Sequence, residues 1–165
     1  MPNQQRTTID LFKEEMKFSA GHFTIFSADQ RENLHGHNFT VQVSLTGEVD
    51  DNGMLADYGR YKRLIIQSCQ RWNETFMLPG ESPHLKIERD EAGDIVARFA
   101  GETLRFLARD VTILPIRNVT LEELARHFGE LLIGAGDQLR SDRVSSVRVK
   151  CSSGPGQLCS WSWPA

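Results

Sequence analysis

His35-Gly36-His37-Asn38-Phe39-Thr40-Val41-Gln42-Val43-Ser44-Leu45 decides the fold, because every second residue after the histidines is apolar. Strict alternation of this kind marks a half-buried β-strand. Side chains at i and i+2 of a strand share a face, roughly 7 Å apart along it, so His35 and His37 lie on the face of Phe39, Val41, Val43 and Leu45. Upstream, Met16, Phe18, Ala20 and His22 alternate in the same way. The spacing predicts one strand over 14–24 and a second over 36–49, with the chain turning back between residues 23 and 34. A neighbouring antiparallel strand can then bring His22 to the other two imidazoles. Three neutral imidazoles without a fourth protein ligand describe a catalytic zinc, in which one position stays open for water or substrate.

Outward from these strands, Asp50-Asp51-Asn52-Gly53 is a strong turn signal. A helix is expected from Tyr58 to Asn73, with Tyr61, Leu64, Ile65, Cys69 and Trp72 at helical spacing and Asp57 as its N-cap. Pro79-Gly80 breaks the chain. From His84 to Leu114 the sequence reads as short strands, Leu85–Glu88, Ile95–Phe99 and Thr103–Phe106. A second helix is expected from Thr120 to Ile133, opened by a capping box of Thr120 and Glu123 and ended by Gly134 and Gly136. Strands over Val144–Cys151 and Leu158–Trp163 close the chain. The order describes an α+β fold: a four-stranded antiparallel sheet, two helices on one face and a β-rich insertion between the helices.

The chain has 165 residues, the size of one domain over 1–165, with 19 Lys and Arg against 22 Asp and Glu. This balance argues against a nucleic-acid partner, which needs a basic surface. No stretch reaches the ~20 apolar residues of a membrane span. The segment Met1–Arg6 lacks the apolar core of a leader. Cys69, Cys151 and Cys159 are odd in number and show no CxxC spacing, which reads as reduced thiols in a cytoplasmic protein.

Phe18-Ser19-Ala20-Gly21-His22, His35-Gly36-His37-Asn38 and Gly53-Met54-Leu55-Ala56-Asp57-Tyr58 together resemble the signature of the 6-pyruvoyltetrahydropterin synthase / 6-carboxytetrahydropterin synthase family. Thr120-Leu121-Glu122-Glu123-Leu124-Ala125 resembles that family's later helix start. The resemblance covers nearly the whole chain except residues 79–114. It implies a tunnelling fold (T-fold) whose subunits join their sheet edges into a homo-oligomeric barrel. It also implies Zn2+ bound by His22, His35 and His37, and a pterin substrate, 7,8-dihydroneopterin triphosphate. Queuosine, folate and biopterin routes all use this family.

Three positions depart from the family pattern. Its members carry a Cys shortly before the His-Gly-His, whereas Ser27–Leu34 here contains none and Glu32 is the nearest substitute. A Glu at this place resembles a branch that cleaves the side chain to 6-hydroxymethyl-dihydropterin. The Asp-His pair is replaced by Asn73 and Glu74, and the late-strand Glu by Cys151 or Ser153. A carboxylate can accept two parallel bonds from a pterin's N3–H and 2-amino group, which a thiol or hydroxyl cannot match. Glu122 is the alternative anchor, with Thr120 and Cys151 as further substrate contacts; Arg31, Lys62 and Arg63 are candidates for a phosphate contact. The reading is a zinc-dependent lyase with Glu32 as its catalytic carboxylate. The alternatives are a diverged, non-catalytic pterin- or purine-binding T-fold protein, and a domain in which the three histidines only brace the sheet.

Overall fold

A computed structural model describes residues 5–134 and 136–164. The spine is β3 (His35–Glu48), fourteen residues long, whose alternate residues Phe39, Val41, Val43 and Leu45 are buried as the alternation predicts. Two strands share one side of it: β2 (Lys17–His22) pairs antiparallel with its first half, and β1 (Arg6–Leu11) with its second. On the other side lie β9 (Val144–Gly154) and then β10 (Gln157–Trp163), both antiparallel.

The expected sheet of four antiparallel strands is too small. Seven strands form it, and two of the additions, β4 (Thr75–Pro79) and β8 (Val111–Leu114), run parallel: β2 with β4, and β4 with β8. Parallel neighbours need a crossover connection of a dozen or more residues. The β-rich insertion supplies it. Its strands β5 (Lys86–Arg89), β6 (Ile95–Phe99) and β7 (Glu102–Phe106) form a separate antiparallel sheet between β4 and β8.

Helix α1 (Gly59–Trp72) buries Tyr61, Ile65, Cys69 and Trp72. Asp57 does receive a helix-end amide, that of Gly59 at 3.1 Å, but Tyr58 occupies the cap position. Helix α2 (Leu121–Ile133) starts on Thr120, whose hydroxyl accepts the Glu123 N–H at 3.3 Å. The reciprocal half of the expected capping box is missing, because the Glu123 carboxylate turns to the backbone and guanidinium of Arg117 and to Arg126. Gly134 ends α2, its N–H donating to the Glu130 carbonyl, and a short α3 (Gly136–Ser141) follows.

Sheet and helices enclose the main core. Phe18 stacks on Phe39 with ring centroids 5.0 Å apart, and Trp72 meets Phe128 at 4.6 Å. A second core lies under the insertion, where Phe23 and Ile25 pack with Leu78, Leu85, Ile95, Ala97 and Phe99. The segment between β2 and β3 is thereby held by the small sheet. Among the described residues no helix is long and apolar enough to cross a membrane.

Candidate metal centre and its cavity

The register of β2 against β3 sets His22 directly opposite His35, and Ala20 opposite His37. All three rings therefore meet. Their centroids are 4.5 Å (His22–His35), 5.2 Å (His22–His37) and 4.8 Å (His35–His37) apart, and one nitrogen from each lies within 4.8 Å of the others. The Nε2 atoms of His35 and His37 are 3.1 Å apart. Two nitrogens each ~2.0–2.1 Å from a tetrahedral zinc would be about 3.3 Å apart, so the rings are already near ligand spacing.

Second contacts orient two of the rings. His22 Nδ1 lies 3.0 Å from the Val119 carbonyl and His35 Nδ1 lies 2.8 Å from that of Asn33. A carbonyl only accepts, so each Nδ1 carries the proton and each Nε2 presents a lone pair to the cluster. His22 is 6% exposed, and its Nε2 has no hydrogen-bond partner. Burial pushes its pKa below the usual histidine value, against the pull of the Val119 bond and with help from the neighbouring His35 and His37. A neutral buried imidazole with an orphaned lone pair facing two others fits a divalent transition metal.

The triad lies in the wall of a cavity of about 700 Å³. Glu32, Thr24 and Phe39 line it beside the histidines, Thr120, Leu121 and Glu122 come from the start of α2, and Ser153, Gln157, Leu158 and Cys159 from the β9–β10 end. Glu32 Oε2 is 3.8 Å from His35 Nε2 and accepts the Thr24 N–H at 3.0 Å. Burial opposes its ionisation, but the Thr24 bond and the facing His35 and His22 rings hold its carboxyl below the ordinary glutamate value. It is a carboxylate at neutral pH.

The structure thus gathers His22, His35, His37, Glu32, Thr120 and Glu122 around one space. Cys151 is a correction: it is 1% exposed in the main core, and burial drives its thiol pKa upward. Two residues further along the same strand face, Ser153 reaches the cavity. Cys159, opposite Cys151 across the β9–β10 pair, also lines it. Neither Lys62 nor Arg63 lines the cavity, and Arg31 is engaged with Glu102. At the place of the Asp-His pair, Asn73 Oδ1 accepts the Ser19 N–H and the Glu74 N–H donates to the Ser19 carbonyl, so this corner clamps β2. His127 stacks on Trp72 in the interior.

Sequence reasoning missed Asn118. Its Oδ1 accepts the Ile25 and Val119 N–H groups, each at 3.0 Å, and its Nδ2 donates to the Ile25 carbonyl at 2.8 Å. One side chain joins the Glu32 segment to the start of α2 and positions the residue whose carbonyl holds His22. The only signal was a polar residue two positions before the cap of a helix.

Comparison with known proteins agrees with this geometry. Residues 11–162 match the family described as 6-pyruvoyl tetrahydropterin synthase. The chain is 26% identical over 144 residues to a Methanocaldococcus jannaschii protein assigned as 6-carboxy-5,6,7,8-tetrahydropterin synthase, covering 86% of each. The solved structure of 6-pyruvoyl tetrahydropterin synthase from Plasmodium falciparum superposes with a TM-score of 0.88 at 26% identity, over 97% of this chain and 98% of that one. The corresponding Plasmodium vivax structure gives 0.88 at 25% identity, over 96% and 98%. With its histidine triad placed to bind a metal ion, the fold of these relatives and the family match over residues 11–162, the chain belongs to the 6-pyruvoyl tetrahydropterin synthase family of pterin-processing enzymes.

Proposed function

We propose that the protein is a zinc-dependent lyase acting on 7,8-dihydroneopterin triphosphate or a close relative, eliminating or cleaving its side chain, with Glu32 as the proton-transferring carboxylate. The observation that carries this reading is the 3.8 Å approach of Glu32 to His35 inside the triad's own cavity. His22, His35 and His37 are the residues that would hold the ion. A three-histidine zinc supplies Lewis acidity and an open coordination position when bound.

The remaining work falls to the chain. Glu32, ionised and supported by Thr24, is placed to take a proton from the substrate's side chain. Glu122, left free because Glu123 is committed to Arg117 and Arg126, is the carboxylate for the heterocycle's paired donor edge. Thr120, beside it, shapes the same wall. A glutamate in this office has support elsewhere in the family: two solved variants of the Plasmodium vivax protein replace a glutamate described as a catalytic residue.

The zinc-loaded protein, incubated with 7,8-dihydroneopterin triphosphate and followed by mass spectrometry, is expected to release triphosphate or a shortened pterin. Turnover no greater than that of a His35→Ala control would sink the proposal. One observation favours the second reading, a pterin binder without turnover: Asn73 and Glu74, in the place of the Asp-His pair, serve as a backbone clamp. Calorimetric binding of the pterin with no product would select that reading.

A further inference from the structure

Besides connecting β4 to β8, the insertion sheet touches the segment before β3 through Glu102. Arg31 precedes Glu32. Its Nε and Nη2 both donate to Glu102 Oε2, at 3.0 and 2.5 Å, while Nη1 donates to the Glu32 carbonyl at 2.8 Å. The guanidinium also sits 5.2 Å over the ring of Phe23. Arg31 is thus fixed from three sides, its side chain only 13% exposed, whereas Glu102 is 57% exposed at the start of β7. The planar fork of an arginine has one orientation in which all these contacts are met.

The segment it grips is also held at Ile25 by Asn118, but the Arg31 fork is the contact that reaches it from the insertion sheet. Phe23 and Ile25 sit on the second core, and Ile25 bridges back to Arg31, the residue directly before Glu32. The Glu32 N–H then donates to the Thr24 carbonyl at 2.9 Å, and its carboxylate returns to the Thr24 N–H. A shift of the Arg31 fork therefore passes through the Glu32 carbonyl to the carboxylate.

We propose that Glu102 is a positioning residue for Glu32: the insertion sheet clamps Arg31, and Arg31 sets the backbone from which Glu32 reaches the cavity. The proposal rests on the reading of Glu32 as the proton-transferring group. It assigns residues 79–114 a part in catalysis at a distance from the substrate.

The test compares Glu102→Ala and Glu102→Gln with Arg105→Ala, which breaks the ion pair with Asp90 toward the other end of β7. Because a displacement of ~1 Å can cost 100-fold in rate, loss of the clamp is expected to lower kcat about tenfold in Glu102→Ala. KM, zinc affinity by chelator competition and the melting temperature should stay at parent values. Glu102→Gln keeps an acceptor oxygen and should recover part of kcat, and Arg105→Ala should not change it. Unchanged kcat in Glu102→Ala, with Glu32→Gln inactive, overturns the proposal alone. A fall in melting temperature and zinc affinity that accounts for the lost rate also overturns it, by making Glu102 structural. Full activity of Glu32→Gln overturns the reading of Glu32 itself, and the positioning role with it.

Discussion

His22 Nδ1 lies 3.0 Å from the carbonyl oxygen of Val119, 97 residues further along the chain. That contact joins β2 to the residue before the cap of α2, and it sets which nitrogen of His22 faces the other two imidazoles. The candidate metal centre is therefore built from two distant parts of the sequence, although its three histidines all lie in the first quarter of it.

Replacing one ligand should remove the ion rather than weaken the fold. In His35→Ala the ring lost is partly exposed, so the melting temperature of the metal-free protein should stay close to the parent's. Zinc affinity should fall more than the roughly 10- to 100-fold seen when a residue behind a ligand is changed. Metal content after dialysis checks this, and zinc retained at one equivalent would exclude His35 as a ligand.

Asn118→Ala should affect both stability and metal. It leaves the Ile25 N–H and carbonyl and the Val119 N–H without their partner, at a cost of about 1–3 kcal/mol. Because the Val119 carbonyl then loses its fixed place, zinc affinity should drop about tenfold. Urea denaturation and chelator competition measure the two effects separately.

Acid should destabilise the protein through Glu123. Burial opposes its ionisation, but bonds from Arg117 and Arg126 lower its pKa from 4.5 to about 2. A folded pKa below the unfolded one gives stability that is complete above pH 4.5 and is lost as the pH falls toward 2. With the exposure of Arg117 discounted, the contribution is about 2 kcal/mol. The urea midpoint of the parent should fall through this window, and Glu123→Gln should show a lower midpoint at neutral pH with a flatter acid slope.

Gly129→Ala should destabilise despite the better helix former. In an open helix the change would gain about 1 kcal/mol. Here an added Cβ would stand 2.1 Å from Trp161 Cε3, because β10 packs directly on α2. Overpacking of this kind costs about 1–3 kcal/mol, so the net effect is a lower melting temperature. An increase would show that Trp161 can move aside.

The triad and the long strands were legible because period-two alternation states which face each residue shares, and His35 and His37 continue the face of Phe39. The insertion strands were legible as short apolar and β-branched runs set off by the turn residues Asp94 and Gly101. What alternation cannot state is a partner. β4 and β8 are short, and their pairing is parallel and set by a crossover, so nothing within Thr75–Pro79 or Val111–Leu114 names its neighbour. β1 pairs only along one edge of β3, and its mostly exposed residues carry little hydrophobic signal. Cys151 and Ser153 share a strand face, and only the position of α2 over the sheet decides which one is sealed. Glu123 was read as half of a local box, but the arginines Arg117 and Arg126 outcompete the neutral amide for its carboxylate.

The contact between His22 and Val119 also sets an order of events during synthesis. A ribosome that has released β2 and β3 has presented all three histidines of the candidate metal site, yet the group that orients His22 follows 97 residues later. β3 gains its other neighbour, β9, only after α2 and α3 have been made. A nascent chain therefore exposes its three imidazoles well before it can fix their geometry, and contacts of such long sequence separation form slowly. The competent binding site belongs to the nearly finished polypeptide, so loading of the ion should follow translation rather than accompany it.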